Sequence, residues 1–587
     1  MRQIIVILAA LFCAAPVLAQ EETEKKKCED WKVTLSGSVQ SDVLIPQEDQ
    51  SIGTGTYKEW GLTNTYAELR LRSGNYLEAG ARLEFTQFPL PGFEKDFKGW
   101  GVPNAYVTGR FKGNELTLGS FYDQFGSGLI FRTYEERSLG IDNSLMGGRF
   151  VTHAIKGVNF KALYGKQRRY WNWNDAWIWG GDLELNLQEW IRPMQEKGWN
   201  LMLGGSFVSK HETAGSGITE TTVGTSPSGD PMIMGRELNV PKNVGAFDVR
   251  ANLNKGGYNL LVEYARKGQD PSFDNGAIFR NGEALLISGS YSKRGASVIL
   301  QAKRSEDMSF RSRRNMSGTS SFINHLPAFA YQHTYALAAL YPYATQMAGG
   351  EWAFQGEFAY KMPKDSPLAG RYGASIKLNF SQIRSLNWDT EDVVPEGGYA
   401  GTDGPKLKNW GVGEERYYQD VNLTFEKKLS KKAKLSLMYM HQRYNKEVIE
   451  GHGGEIKSHI GVAELNWNIS RKVALRMEAQ YAHSDQMHDQ GWMQDWGKDW
   501  VYGLVEVSWL PYLMFTLSDQ YNSHVLDAST GEDKKQHYFM GQVTFTKGAH
   551  RLMVGYGKTR AGYNCSGGVC RWVPASKGCT ISYNFSF

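Results

Sequence analysis

Apolar and polar residues alternate along almost the whole of this 587-residue chain, from Trp31 to the final Phe587. In an extended strand successive side chains point to opposite faces, so such alternation writes one apolar face and one polar face. The first run, residues 31–45, carries Trp31, Val33, Leu35, Gly37, Val39, Val43 and Ile45 at odd positions, broken by Ser41, with mostly polar residues between them. The pattern returns in Ala67/Leu69/Leu71, in Leu77/Ala79/Ala81/Leu83/Phe85, in Val473/Leu475/Met477/Ala479/Tyr481 and in the closing Cys579/Ile581/Tyr583/Phe585/Phe587. About 25 such segments are legible, most of them roughly 9 to 13 residues long. Helical spans are excluded. Beyond the N-terminal stretch no apolar run approaches the ~20 residues that a spanning helix needs, and mean hydropathy is −0.45.

Short turns and long loops take turns between the segments. Ser73-Gly74-Asn75, Lys112-Gly113 and Leu510-Pro511-Tyr512 are short, whereas residues 88–103, 122–147, 210–242 and 382–414 are long. This asymmetry, with tilted strands of ~9–11 residues, is that of a transmembrane β-barrel. The expected fold class is therefore all-β: a large transmembrane antiparallel β-barrel of about 26 strands, within 24 to 28, without a plug domain. Its apolar face meets lipid and its polar face the lumen, and closure leaves no unpaired edge. Termini on one side require an even strand count. The alternation of turns and loops breaks over 305–330, around Phe310 to Asn315, where either a strand is misread or the chain folds into the lumen. A propeller, sandwich array or solenoid would also alternate. None accounts for aromatic residues near strand ends, such as Trp31, Trp199, Trp352, Trp467, Trp509 and Phe587, and no propeller-type repeat is present.

The N-terminus reads as a secretory signal peptide: Arg2, an apolar core from Ile4 to Phe12, and a small-residue cleavage site ending at Ala19. The expected organisation is a signal peptide over 1–19, a short charged periplasmic leader over 20–30 and one barrel over 31–587. So short a leader leaves no room for an N-terminal plug or hatch. The expected location is the bacterial outer membrane, with lipid and lipopolysaccharide as its surroundings. The formal charge of +5, reduced to +4 when Arg2 is removed, is too slight to argue for nucleic acid.

Four stretches carry a resemblance: Gly37 to Asp49, Tyr122 to Arg137, Gln332 to Tyr343 and Ala561 to Cys570. Together they resemble an uncharacterised family of outer-membrane β-barrel proteins from the Bacteroidota, over the whole mature chain. The resemblance implies location and architecture and no activity.

The polar faces of the early strands are heavily charged. Glu68, Arg70 and Arg72, then Glu78, Arg82 and Glu84, then Arg110, are expected to line a pore, where opposite charges paired across the ladder brace the wall or set a transverse field. Residues 122–147 combine Gly126-Ser127-Gly128 with Arg132, Glu135, Glu136 and Arg137, continued by Asp142 and Arg149. So many charges do not face lipid, where a midplane Arg costs ~2–4 kcal/mol. Arg132, Glu135, Glu136, Arg137 and Arg149 are expected to form a constriction, with an ordinary outer loop as the alternative. Trp171, Trp173, Trp177 and Trp179 read as an interfacial girdle or as a stacking surface beside Arg168 and Arg169. His483, Asp485, His488 and Asp489 match no metal spacing, so no metal or other cofactor is expected. Cys565 and Cys570 bracket Ser-Gly-Gly-Val and are expected to form a disulfide in an oxidising compartment, whereas Cys28 and Cys579 are not expected to pair.

No G-x-S-x-G or H-E-x-x-H motif is present, and no enzymatic step is expected. The function expected is a passive porin-like channel for small polar solutes with a charged, partly occluded lumen. The alternative is a non-conducting scaffold or surface-binding barrel that meets a protein partner through its outer loops.

Overall fold

The computed structural model describes residues 32–587 except 55–56, 214–218, 226–230, 317–319, 328, 344–348, 390, 393, 396–397, 452, 490–493, 527–532 and 567–568. The signal peptide, the leader with Cys28, and Trp31 lie outside the described residues.

Twenty-four strands form one sheet, each antiparallel to its neighbour in sequence. The first quarter runs Val33–Pro46 (β1), Leu62–Ser73 (β2), Leu77–Thr86 (β3), Gly99–Phe111 (β4), Asn114–Phe121 (β5) and Leu145–Thr152 (β6). It continues through Val158–Arg169 (β7), Asn172–Asn186 (β8), Trp199–His211 (β9), Asn243–Lys255 (β10), Tyr258–Lys267 (β11) and Gly282–Lys293 (β12). The second half is Ala296–Glu306 (β13), Glu351–Met362 (β14), Ala374–Trp388 (β15), Leu407–Lys428 (β16), Ala433–Asn445 (β17) and Glu455–Asn468 (β18). Val473–Asp489 (β19), Gln494–Trp509 (β20), Leu513–Leu526 (β21), Asp533–Lys547 (β22), His550–Thr559 (β23) and Ser576–Ser586 (β24) complete it.

The sheet closes. β1 pairs with β2 from Val33↔Ser73 to Leu44↔Leu62 and, on its other side, with β24 from Ser38↔Ser586 to Pro46↔Gly578. Every stave thus has two partners, so no ladder of N–H and C=O groups is left open. The count is 24 where about 26 was the central expectation. Two further hairpins, Thr219–Thr225 with Pro231–Glu237 and Gly562–Ser566 with Val569–Val573, pair with themselves outside the wall. The count of 24 is even, as termini on one side require.

The written alternation sets the two faces. Leu35, Leu69, Leu118, Leu300 and Leu517 point outward with more than half of their surface exposed, while their neighbours point inward. Short turns collect at one end of the barrel. Lys112 and Gly113 both take positive φ, 47° and 79°, which is how a two-residue connection matches the twist of β4 and β5. Long connections collect at the other end.

The lumen holds the core. From the β5–β6 connection, Phe125, Leu129, Ile130 and Phe131 turn inward and are 0–2% exposed. They pack with Met308, Phe310, Ile323 and Leu326 of the β13–β14 connection against the inner wall at Leu163, Ile178, Val208 and Val244. Further along the same connection, Leu337, Ala338 and Leu340 pack on Met438, Met440, Ile460 and Val462, and Tyr343 packs among Ile383, Tyr417, Tyr418 and Tyr444. Each such side chain contributes roughly 1.5–3 kcal/mol on full burial. The described residues of 307–350 therefore form an inner segment folded into the barrel, one of the two outcomes expected near 305–330. This filling comes from two internal connections of the barrel.

Candidate functional site

The charged residues of β2, β3 and β4 lie on the inner wall, but they are not equivalent. Arg72 sits at the short-turn rim, where its Nε donates to Gly74 O at 2.9 Å and its Nη2 to Asn75 Oδ1 at 2.7 Å. Arg70 is largely exposed and reaches Glu78 at 3.6 Å. Arg110 pairs with Glu115 at 2.7 Å and with Glu78 at 3.3 Å. Deeper in, Arg82 is buried among carboxylates: Glu84 at 2.6 Å, Glu135 at 2.8 Å, Glu68 at 3.7 Å, and Asp142 in close contact. Arg168 closes the same network through Glu84 at 2.6 Å and Asp142. Burial opposes ionisation of Asp142, yet the guanidinium groups of Arg168 and Arg82 and the Ser144 N–H hold its carboxyl below the usual range.

Residues 122–144 turn inward, anchored at a point where only glycine fits. Gly126 has φ +50°, and a Cβ there would lie 2.7 Å from Glu263 Oε1, while the next N–H, of Ser127, donates to Glu263 Oε2 at 3.0 Å. Arg132 extends over the Tyr134 ring at 4.9 Å, and its N–H donates to Ile323 O at 2.8 Å, so it ties this loop to the inner segment. Glu135 faces Arg82 and Arg137. Glu136 accepts from Ser138 Oγ and Ser566 Oγ, both at 2.7 Å, and so joins the loop to the hairpin that the Cys565–Cys570 disulfide closes. Arg137 is paired with Glu135 at 2.8 Å and with Glu68, donates to Gln40 Oε1 at 3.3 Å, and lies 4.7 Å over the Tyr66 ring.

Arg149 belongs elsewhere. It is on β6, where it pairs with Glu115 at 2.6 Å and with Asp123. It is a wall residue, because the loop has already returned to the sheet at Leu145.

Two cavities remain open beside this filling. One, of about 640 Å³, lies toward the short-turn end and is lined by Glu68, Arg70, Glu78, Arg82, Arg110 and Arg137 among others. The other, of about 790 Å³, lies toward the long-loop end and includes Gln40, Asp42, Tyr66, Tyr538, Arg560 and again Arg137. Arg137 lines both.

The remaining candidates separate from this site. Trp173, Trp177 and Trp179 face outward, with Trp177 stacked on Tyr164 at 4.7 Å and under Lys166 at 4.9 Å. His483 hydrogen-bonds Asp499 at 2.8 Å on the outer face, and the side chains of His488 and Asp489 lie outside the described residues. Among the described residues no three His, Cys, Asp or Glu side chains converge for a metal. Cys579 is opposite Ile45 at the long-loop end of β24.

Arg168, Asp123 and Glu115 are site residues that sequence reasoning missed. Asp123 and Glu115 follow from strand parity once β5 and β6 are placed opposite each other. Arg168 does not, because the register between β7 and β8 slips between Trp173 and Trp177 beside it.

The chain belongs to a family of unknown function, DUF6029, whose profile matches residues 1–587. No curated protein is similar in sequence. Among solved structures, the P pilus usher (PapC) translocation pore is 9% identical, with 95% of this chain and 99% of that one covered at a TM-score of 0.40. The ferric enterobactin receptor (PfeA) of Pseudomonas aeruginosa in complex with enterobactin is 10% identical, covering 95% and 82%, at 0.44. OpdK of Pseudomonas aeruginosa with vanillate is 12% identical, covering 73% and 98%, at 0.31. At these scores they carry no argument about what this chain does.

Proposed function

We propose that this barrel spans the bacterial outer membrane and passes small polar solutes along an eccentric path between the two cavities, pinched at Arg137. The outward leucines and the aromatic residues at strand ends suit lipid and lipopolysaccharide as surroundings. The single observation that carries the reading is that the half-buried Arg137 lines both cavities. The wall around the cavity at the short-turn end offers charges already paired, which select by field without holding a solute tightly. No chemical step and no cofactor are assigned.

A second reading is favoured by the three apolar clusters in the lumen: a non-conducting barrel whose long-loop end meets a protein partner. Planar-bilayer recording of the refolded chain and of Arg137→Ala separates the two. The channel reading expects small ion-selective steps that grow in the variant. Silence from both proteins, with heat-modifiable migration showing that they are folded, would leave the surface-binding reading.

A further inference from the structure

The cavity toward the long-loop end contains two opposite charges that the protein leaves unmatched. Four charged side chains line it: Asp42, Arg137, Lys558 and Arg560. Arg137 is held by Glu68 and Glu135, and Lys558 by Asp49 at 2.6 Å. Arg560 is different. Among the described residues its guanidinium meets only carbonyl oxygens, Ala561 O at 3.0 Å and Ala339 O at 3.5 Å. The arginines buried in the lumen among the described residues, Arg82, Arg168, Arg250, Arg304, Arg311 and Arg314, each contact at least one carboxylate. Arg560 differs from these six, and it does so where there is open volume. Asp42 is its counterpart of opposite sign. It points inward from β1 and, among the described residues, is met only by the Gln40 amide at 2.9 Å. No ion pair joins Asp42 to Arg560.

Unmatched charges of both signs in one cavity make a poor site for a simple anion or cation, since each ion meets one attraction and one repulsion. They suit a solute that carries both charges. A guanidinium takes a carboxylate by two parallel hydrogen bonds, and a carboxylate takes an ammonium group. Apart from Arg137 and Lys558 the rest of the lining is uncharged, with Asn64, Gln520 and Gln542 among its polar side chains. The rings of Tyr66, Tyr538 and Tyr563 offer apolar faces for a side chain. The volume of about 790 Å³ exceeds what one amino acid fills.

We propose that this cavity binds short zwitterionic peptides, with the C-terminal carboxylate on Arg560 and the N-terminal ammonium on Asp42. The proposal names the solute class for the path described above and rests on that reading for its role in transport, though not for binding.

Calorimetric titration of the refolded full chain in detergent tests it with three probes: Ala-Phe-Ala, its N-acetyl form and its C-terminal amide. The wild type is expected to bind the free tripeptide at least 10-fold more tightly than either blocked form. Arg560→Gln should erase the preference over the amide and keep that over the acetyl peptide, and Asp42→Asn should do the reverse. Arg560→Lys, which keeps the charge and loses the bidentate geometry, should fall between and serves if the Gln variant does not fold. Equal affinity for all three peptides, or no binding by folded wild type, overturns the proposal. The same peptides added as blockers in the bilayer keep the two claims apart. Binding with a silent bilayer sinks transport alone, whereas open steps without binding sink the site alone.

Discussion

Arg137, carried into the lumen by the β5–β6 connection, is ion-paired to Glu68 on the wall strand β2. The inward connection and the wall meet at that contact, and Arg137 lines both open cavities. Glu68→Gln removes the wall's charge and leaves Arg137 with Glu135. We expect the pore to shift toward anions, read as a change in reversal potential under a salt gradient. Both partners are partly exposed, so the loss of stability should stay within about 1 kcal/mol.

Arg82 is predicted to matter more for stability than for selectivity. It is 4% exposed and faces Glu68, Glu84, Glu135 and Asp142. Removing one partner from a buried ionic network leaves uncompensated charge and costs about 3–5 kcal/mol. Arg82→Met should therefore lower the midpoint of heat-modifiable migration and expose residues 122–144 to protease. An unchanged midpoint would contradict the ion-pair account of this wall.

Gly126→Ala should loosen the loop without touching its charges. The positive φ and the approach to Glu263 together cost about 1–3 kcal/mol for any residue with a Cβ. Limited proteolysis should cut the variant between 122 and 144 at conditions where the wild type resists.

The inner segment should respond to pH through Asp307, at its root next to β13. Burial pushes this carboxyl up to about 6, against the pull of Lys267 and a hydrogen bond from Asn275. The folded pKa is raised above the ordinary 3.8. The protonated form is thus the one the fold prefers, and its stabilisation is full below pH 3.8 and lost as pH rises through 6. Asp307→Asn should flatten that dependence and stabilise the segment at pH 7.5 by up to about 3 kcal/mol. Hydrogen-exchange protection over 307–350, taken relative to the intrinsic amide rate at pH 5 and 7.5, measures it, and equal protection at both pH values in the wild type would refute it.

The wall of this barrel was legible in the sequence because its determinant is local. Leu69 and Leu71 face out and Glu68 and Arg70 face in by strand parity alone, and Leu77 to Phe85 repeats the same rule. The inner segment was not. Phe310, Ile323, Leu326, Leu337 and Leu340 follow no regular period, and what places them is distant: Gln167 of β7 donates to Phe322 O at 2.6 Å, and Gln480 of β19 accepts from Leu337 N–H at 2.8 Å. A break in the alternation near 305–330 was the one visible trace. Charge kept residues 122–147 away from lipid, since Arg132, Glu135 and Arg137 cannot face it, but left an inward turn and an ordinary outer loop equally open. Their partners could not be read, because Arg137 and Glu68 are 69 residues apart. Arg560 and Asp42 were missed for the same reason: whether a charge is paired depends on residues distant in the sequence.

The central claim is that solutes pass Arg137 on their way between the two cavities. Single-channel current through Arg137→Cys, made with Cys579→Ser, tests it when a charged thiol reagent is added to either chamber, with the parent carrying Arg137 as control. The account predicts a stepwise change in current upon modification from both sides and none in the parent. Current that is unaffected from either side, or absent in folded protein, would contradict it.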